Sequence, residues 1–152
     1  MEKLIFLDVD GVLNSLSFAR RMLDEEGVKV FREDILDRHC LLLLKDIVEK
    51  TGAKIVVSSA WRRIPRSYEH LIGWLSEYGM EVFDTTPYVG GDRGNDITAW
   101  FNRHPGEYSY VILDDDSDMT VHMDHLIKTD FYNRGLTRPL ADRCVDILNG
   151  KE

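Results

Sequence analysis

The chain is short of cysteine, proline and long apolar runs, and it has no surplus of positive charge. Each shortage excludes something. Cys40 and Cys144, the only two cysteines, lie far apart inside apolar helical patterns, which reads as two buried free thiols rather than a disulfide framework or thiolate metal centre. Four prolines in 152 residues leave no proline-rich linker, and no internal repeat or low-complexity tract interrupts the chain. No stretch is long enough to cross a bilayer as a helix, so a membrane partner is not expected. Asp8 cuts the N-terminal apolar run after a few residues, and the run has neither a basic leader nor a small-residue cleavage site. A signal peptide is therefore not expected, and a cytoplasmic setting is. With 27 acidic against 19 basic residues the formal net charge is −8. That argues against coating nucleic acid through the overall field, though not against a local basic site. No obligate protein partner is evident.

A chain of this length with 43% hydrophobic and 30% charged residues can bury a real core, and one domain over residues 1–152 is expected. Short apolar, partly β-branched runs at 3–7, 54–57, 81–83, 109–113 and 126–128 read as buried strands. Helical patterns separate them. Ile35, Leu36, Cys40, Leu43, Leu44 and Ile47 recur at helix spacing before Gly52, and further helices are predicted over 68–78, 97–103 and 140–148. Alternation of this kind predicts a three-layer α/β/α domain, Rossmann-like, around a mostly parallel five-stranded sheet with right-handed crossovers. Residues 15–32 fit no strand and read as a small flap. In such sheets ligands bind beyond the carboxyl ends of the strands, near a topological switch point. Asp8 and Asp10, Ser58 and Ser59, and Asp114 and Asp115 each follow a predicted strand, so they should converge on one edge.

Two carboxylates one residue apart, Asp8 and Asp10, can point the same way from an extended segment, and Gly11 permits a tight turn behind them. Asp114 and Asp115 would complete an oxygen-rich site for a hard cation such as Mg²⁺. Like-charge repulsion makes such a cluster costly without a cation.

These residues resemble, in order, the motifs of the haloacid dehalogenase (HAD) superfamily of phosphatases. Asp8-Val9-Asp10-Gly11 looks like the first motif, Ser58 after Ile55-Val56-Val57 like the second, and Asp114-Asp115 after Val111-Ile112-Leu113 like the fourth. The resemblance implies a phosphomonoester hydrolase with Asp8 as nucleophile and Asp10 as acid, then base. It implies Mg²⁺ held by Asp8, the backbone carbonyl of Asp10 and Asp114, with Asp115 and Asp118 acting through water or orienting the direct ligands. The third motif supplies a Lys or Arg that cancels repulsion between carboxylate and phosphate. Arg93, before a helix beginning near Asp96, has the right order for it; Arg62 is an alternative phosphate contact, and Lys128 fits the order poorly. Gly11, Ser59 and Arg62 are candidate substrate contacts.

Within the superfamily, residues 7–14, 57–62, 93–94 and 113–118 look closest to the phosphatase-like domain of Swiss Army Knife RNA repair proteins. That narrower resemblance implies a phosphate at a nucleic-acid end, such as a 3′-phosphate, as one substrate class. Small-metabolite and phosphoprotein substrates, or phosphate-end binding without turnover, are the alternatives. Neither cap insertion point has room for more than a minimal cap, which suits an open site. Arg62, Arg63 and Arg66 would then meet neighbouring phosphates, and Trp61, Tyr68 or Phe18 would stack on a base.

Overall fold

The computed structural model of the chain describes residues 1–151. In order, the elements are β1 (Glu2–Leu7), α1 (Leu16–Glu26), α2 (Arg38–Thr51), β2 (Lys54–Val57), α3 (Pro65–Glu77), β3 (Val82–Thr85), α4 (Arg93–Arg103), β4 (Tyr108–Asp114), β5 (Leu126–Lys128) and α5 (Arg138–Leu148). The strands form one sheet in the order β3-β2-β1-β4-β5. Every strand pairing in it is parallel, so the expected mostly parallel sheet is wholly so among the described residues.

Side chains alternate across a strand, and β1 uses both faces. Ile5 and Leu7 join a core cluster with Leu41, Leu44 and Ile47 of α2, Leu71 and Leu75 of α3, and Ala141 and Cys144 of α5. Leu4 and Phe6 face the other way, against Ile97 and Trp100 of α4. Phe6 meets Trp100, Phe101 and Tyr110 edge-on, with ring centroids 5.7, 5.4 and 5.7 Å away. A strand buried on both faces reads as a continuous apolar run, which is why residues 3–7 carried so clear a signal. The outer strand β3 is half-exposed, with Phe83 at 47%.

The chain steps outward from β1 to β2 and β3, then returns through α4 to β4 on the far side of β1. The loops after β1 and β4 therefore part in opposite directions and leave a crevice between them. The flap is α1, started by the Ser15 hydroxyl accepting from the Phe18 amide and stopped at Gly27 with φ of 67°. Helix α3 starts at Pro65, ahead of the predicted position 68, because proline in the first turn has no amide that needs an intrahelical partner. No described helix is long and apolar enough to cross a membrane.

Candidate active site

Backbone bonds carry the sheet's ladder one residue past the strand ends. The amide of Asp8 donates to the Leu113 carbonyl (2.9 Å), that of Ser58 to Leu7 (3.0 Å), and that of Thr129 to Asp114 (3.0 Å). Each loop therefore leaves the sheet from a fixed place, and Asp8, Ser58 and Asp114 sit side by side at the switch point.

Oxygens of Asp8, Asp114 and Asp115 lie within 4.8 Å of one another. One nitrogen answers two of them: Arg93 Nη1 is 3.0 Å from Asp8 Oδ1 and 2.9 Å from Asp114 Oδ2. Burial raises the pKa of Asp8, and Arg93 opposes that rise. Burial, then the neighbouring Asp8, pushes Asp114 from 3.8 to about 7; burial, then Asp114, pushes Asp115 to about 6. For Arg93, burial works against the charge, but the carboxylates of Asp8 and Asp114 outweigh it and raise its pKa. Three crowded carboxylates with one guanidinium form an oxygen-rich, under-neutralised donor set, which fits a hard divalent cation.

Asp10 is exposed and its side chain stands outside this cluster, so only its backbone carbonyl is left for the metal role. Its two oxygens are held by neighbours: Asn14 Nδ2 donates to Oδ1 (2.8 Å) and Trp61 Nε1 to Oδ2 (3.2 Å). Asn14 also accepts from the Gly11 amide at 2.9 Å. That amide is thus taken, and Gly11 is corrected from a substrate contact to a backbone requirement. Its φ is 85°, and a Cβ there would lie 2.5 Å from Asp115 Oδ2, so any side chain would push Asp115 out of the cluster. The Thr129 hydroxyl fixes the same turn by donating to the Gly11 carbonyl at 2.6 Å.

Ser58 lies fully buried, and its hydroxyl has no hydrogen-bond partner among the described residues. An unmet buried hydroxyl costs about 1–3 kcal/mol, and at this strand end it suits an incoming phosphoryl oxygen. Ser59 is different. Its hydroxyl accepts from the Trp61 amide (3.1 Å) and starts the 3-10 turn Ala60–Arg63, so it shapes the loop instead of meeting substrate.

Arg62 is also corrected. Its side chain is 5% exposed, and its five N–H donors all have protein acceptors. Nε donates to Thr86 O (2.9 Å), Nη1 to Ser58 O (2.9 Å) and Ser59 O (2.7 Å), and Nη2 to Pro87 O (3.3 Å) and Asp96 Oδ2 (2.9 Å). Arg62 ties the loops after β2 and β3 to α4 and has no donor left for phosphate. Arg62→Ala leaves Asp96 buried without its cation, so a loss of about 3 kcal/mol is expected in a urea melt. An unchanged midpoint would refute that role.

Asp118 stands outside the carboxylate cluster. Its Oδ2 accepts from the Arg93 amide (3.1 Å) and its carbonyl from the Gly94 amide (2.9 Å), which docks the start of α4 onto the loop after β4. A Cβ on Gly94 would lie 2.2 Å from the Met119 carbonyl, so this docking also requires glycine. Trp61 and Phe18 are buried and Tyr68 packs against the core, which removes all three as base platforms. Sequence reasoning gave no role to Asn14 and Thr129, although Asn14, four residues after Asp10, had the spacing of a turn-closing amide.

No curated protein and no solved structure matches the chain. The family model of the HAD domain in Swiss Army Knife RNA repair proteins matches residues 4–141, which include every strand end described above. On that match, over a Rossmann-like sheet with the acidic cluster at its switch point, the chain belongs to this family and so to the HAD superfamily.

Proposed function

We propose that the protein is a Mg²⁺-dependent phosphatase that hydrolyses a phosphomonoester at a nucleic-acid end through an aspartyl-phosphate on Asp8. One observation carries the chemistry: Arg93 bridges Asp8 and Asp114 while Asp10, two residues on, is held apart and open to solvent. A carboxylate oxygen of Asp8 attacks phosphorus, and the bond to the leaving oxygen breaks as Asp10 gives it a proton. Asp10 then takes a proton from water, which attacks the phosphorus and releases inorganic phosphate and the Asp8 carboxylate. Arg93 and the Ser58 hydroxyl hold the phosphoryl oxygens, and Asn14 and Trp61 keep Asp10 aimed at the leaving group. A magnesium ion on Asp8, Asp114, Asp115 and the Asp10 carbonyl would supply the remaining positive charge.

Two features favour a large substrate. The flap is a single short helix, and a cleft of about 510 Å³ runs from Asp115 past Lys128, Tyr132 and Arg134. Phosphate release from an aryl phosphate with Mg²⁺, competed by 3′-phosphorylated oligonucleotides more strongly than by sugar phosphates, would support this function. A full metal and substrate panel without turnover would overturn it.

The raised carboxyl pKa values give a second test. A carboxyl with a higher pKa folded than unfolded binds its proton more tightly when folded, so its burial costs stability as pH rises from 3.8 toward about 7. A bound cation reverses that cost, because it binds only the ionised groups. At about pH 8, Mg²⁺ in hundredfold excess over its dissociation constant should add about 2.7 kcal/mol, or about 5–10 °C in Tm. At about pH 5 the gain should fall by half or more. A gain independent of pH would place the metal elsewhere.

A further inference from the structure

Beside Arg93, on the side of the loops after β2 and β3, lies a second, smaller pocket of about 90 Å³. It is lined by Arg62, Arg63, Tyr88, Arg93, Asp96 and Asp118 and not by Asp8, Asp114 or Ser58, so it adjoins the place of the attacked phosphoryl group through Arg93 and extends away from it.

Most of its charges are already matched. Asp96 pairs with Arg62 and accepts from the Val89 amide, Asp118 holds the Arg93 amide, and the charge of Arg93 is matched by Asp8 and Asp114 through Nη1. Arg63 is the exception. It has no carboxylate partner among the described residues, and its guanidinium carbon stands 3.4 Å from the centroid of the Tyr88 ring. Both side chains are exposed, so the stack is not a by-product of core packing. A guanidinium seated on an aromatic face keeps its edge donors free and loses little freedom when they bind, which suits bidentate recognition of phosphate.

We propose that Arg63, supported by Tyr88, forms a subsite for a second phosphate of the substrate, next to the phosphoryl group that Asp8 attacks. This rests on the phosphatase reading and deepens it: the substrate class is a 3′-phosphorylated nucleoside that also carries phosphate on its 5′ side. That second phosphate belongs either to a strand, as a phosphodiester, or to a free nucleoside 3′,5′-bisphosphate. Arg63 is a specificity-determining residue in this scheme. It takes no part in bond making at Asp8.

The test compares a nucleoside 3′-monophosphate, the 3′,5′-bisphosphate, a 3′-phosphorylated dinucleotide and an aryl phosphate, in the wild type and in Arg63→Ala, Arg63→Lys and Tyr88→Leu. The second phosphate should raise wild-type kcat/KM by about tenfold, mainly through KM, as a charge-assisted bidentate contact does. Arg63→Ala should erase that ratio, and Arg63→Lys and Tyr88→Leu should retain part of it. A dinucleotide preferred over the bisphosphate identifies the strand as the source; the reverse order identifies the free bisphosphate. Equal wild-type values with and without the second phosphate, or equal losses on all four substrates in Arg63→Ala, would overturn the subsite. Titration calorimetry with the monophosphate and bisphosphate reads the same ratio without turnover. An inactive protein that still prefers the bisphosphate by an Arg63-dependent margin would thus sink the phosphatase reading and keep the subsite.

Discussion

Asp8→Asn is expected to abolish phosphate release, by about 10⁴-fold or more, while the protein stays folded. The amide has nearly the volume of the carboxylate, and its oxygen can still accept from Arg93 Nη1 where Asp8 Oδ1 does now, at 3.0 Å. What it lacks is the nucleophilic oxygen anion, so no aspartyl-phosphate can form. The fold should tolerate the change well, because burial already opposes the charge on Asp8 and Asp115 and Asp10 repel it. The variant should melt at or above the wild-type temperature without metal and gain less from Mg²⁺. Turnover within tenfold of wild type would remove Asp8 as the attacking group.

Arg93→Ala should lower kcat by about 10³-fold, in the range seen when a guanidinium that neutralises a phosphoryl group is lost. The substitution also leaves the buried carboxylates of Asp8 and Asp114 without their shared cation, so the metal-free protein should be less stable and should lean more on Mg²⁺. Arg93→Lys sharpens the test. Both contacts of Arg93 come from the one nitrogen Nη1, so an ammonium at the same point could bridge the same two carboxylates. Lysine is therefore expected to recover much of the rate where alanine does not. Stopped-flow phosphate release on the three proteins decides it, and an alanine variant within tenfold of wild type would transfer the role elsewhere.

The contrast with Arg62 shows where sequence reading ends. Both arginines stand close to a motif, and both had a place in the predicted site. Arg62 is consumed by carbonyls of its own loop and of residues 86–87, and by Asp96, 34 positions away. Arg93 reaches Asp8 because Asp118, 25 positions further on, grips its amide and sets the start of α4. Neither partner leaves a periodic trace. The same holds for Trp61, whose ring nitrogen serves Asp10 across 51 positions.

The sequence by itself determined the sheet's core strands, the helices between them, and which acidic residues leave the ends of β1 and β4. Those features are local: an apolar run with its period, a glycine that permits φ of 85°, and carboxylates directly after a buried strand. Only the tertiary structure decided what the long polar side chains do. Their ends lie several bonds from the backbone, and contacts between distant segments choose their partners. Asp8, Asp10 and Arg93 were therefore legible as candidates, whereas the bridge from Arg93 to Asp8 and Asp114, the supports of Asp10 and the pocket beside Arg63 emerged only once the loops were packed together.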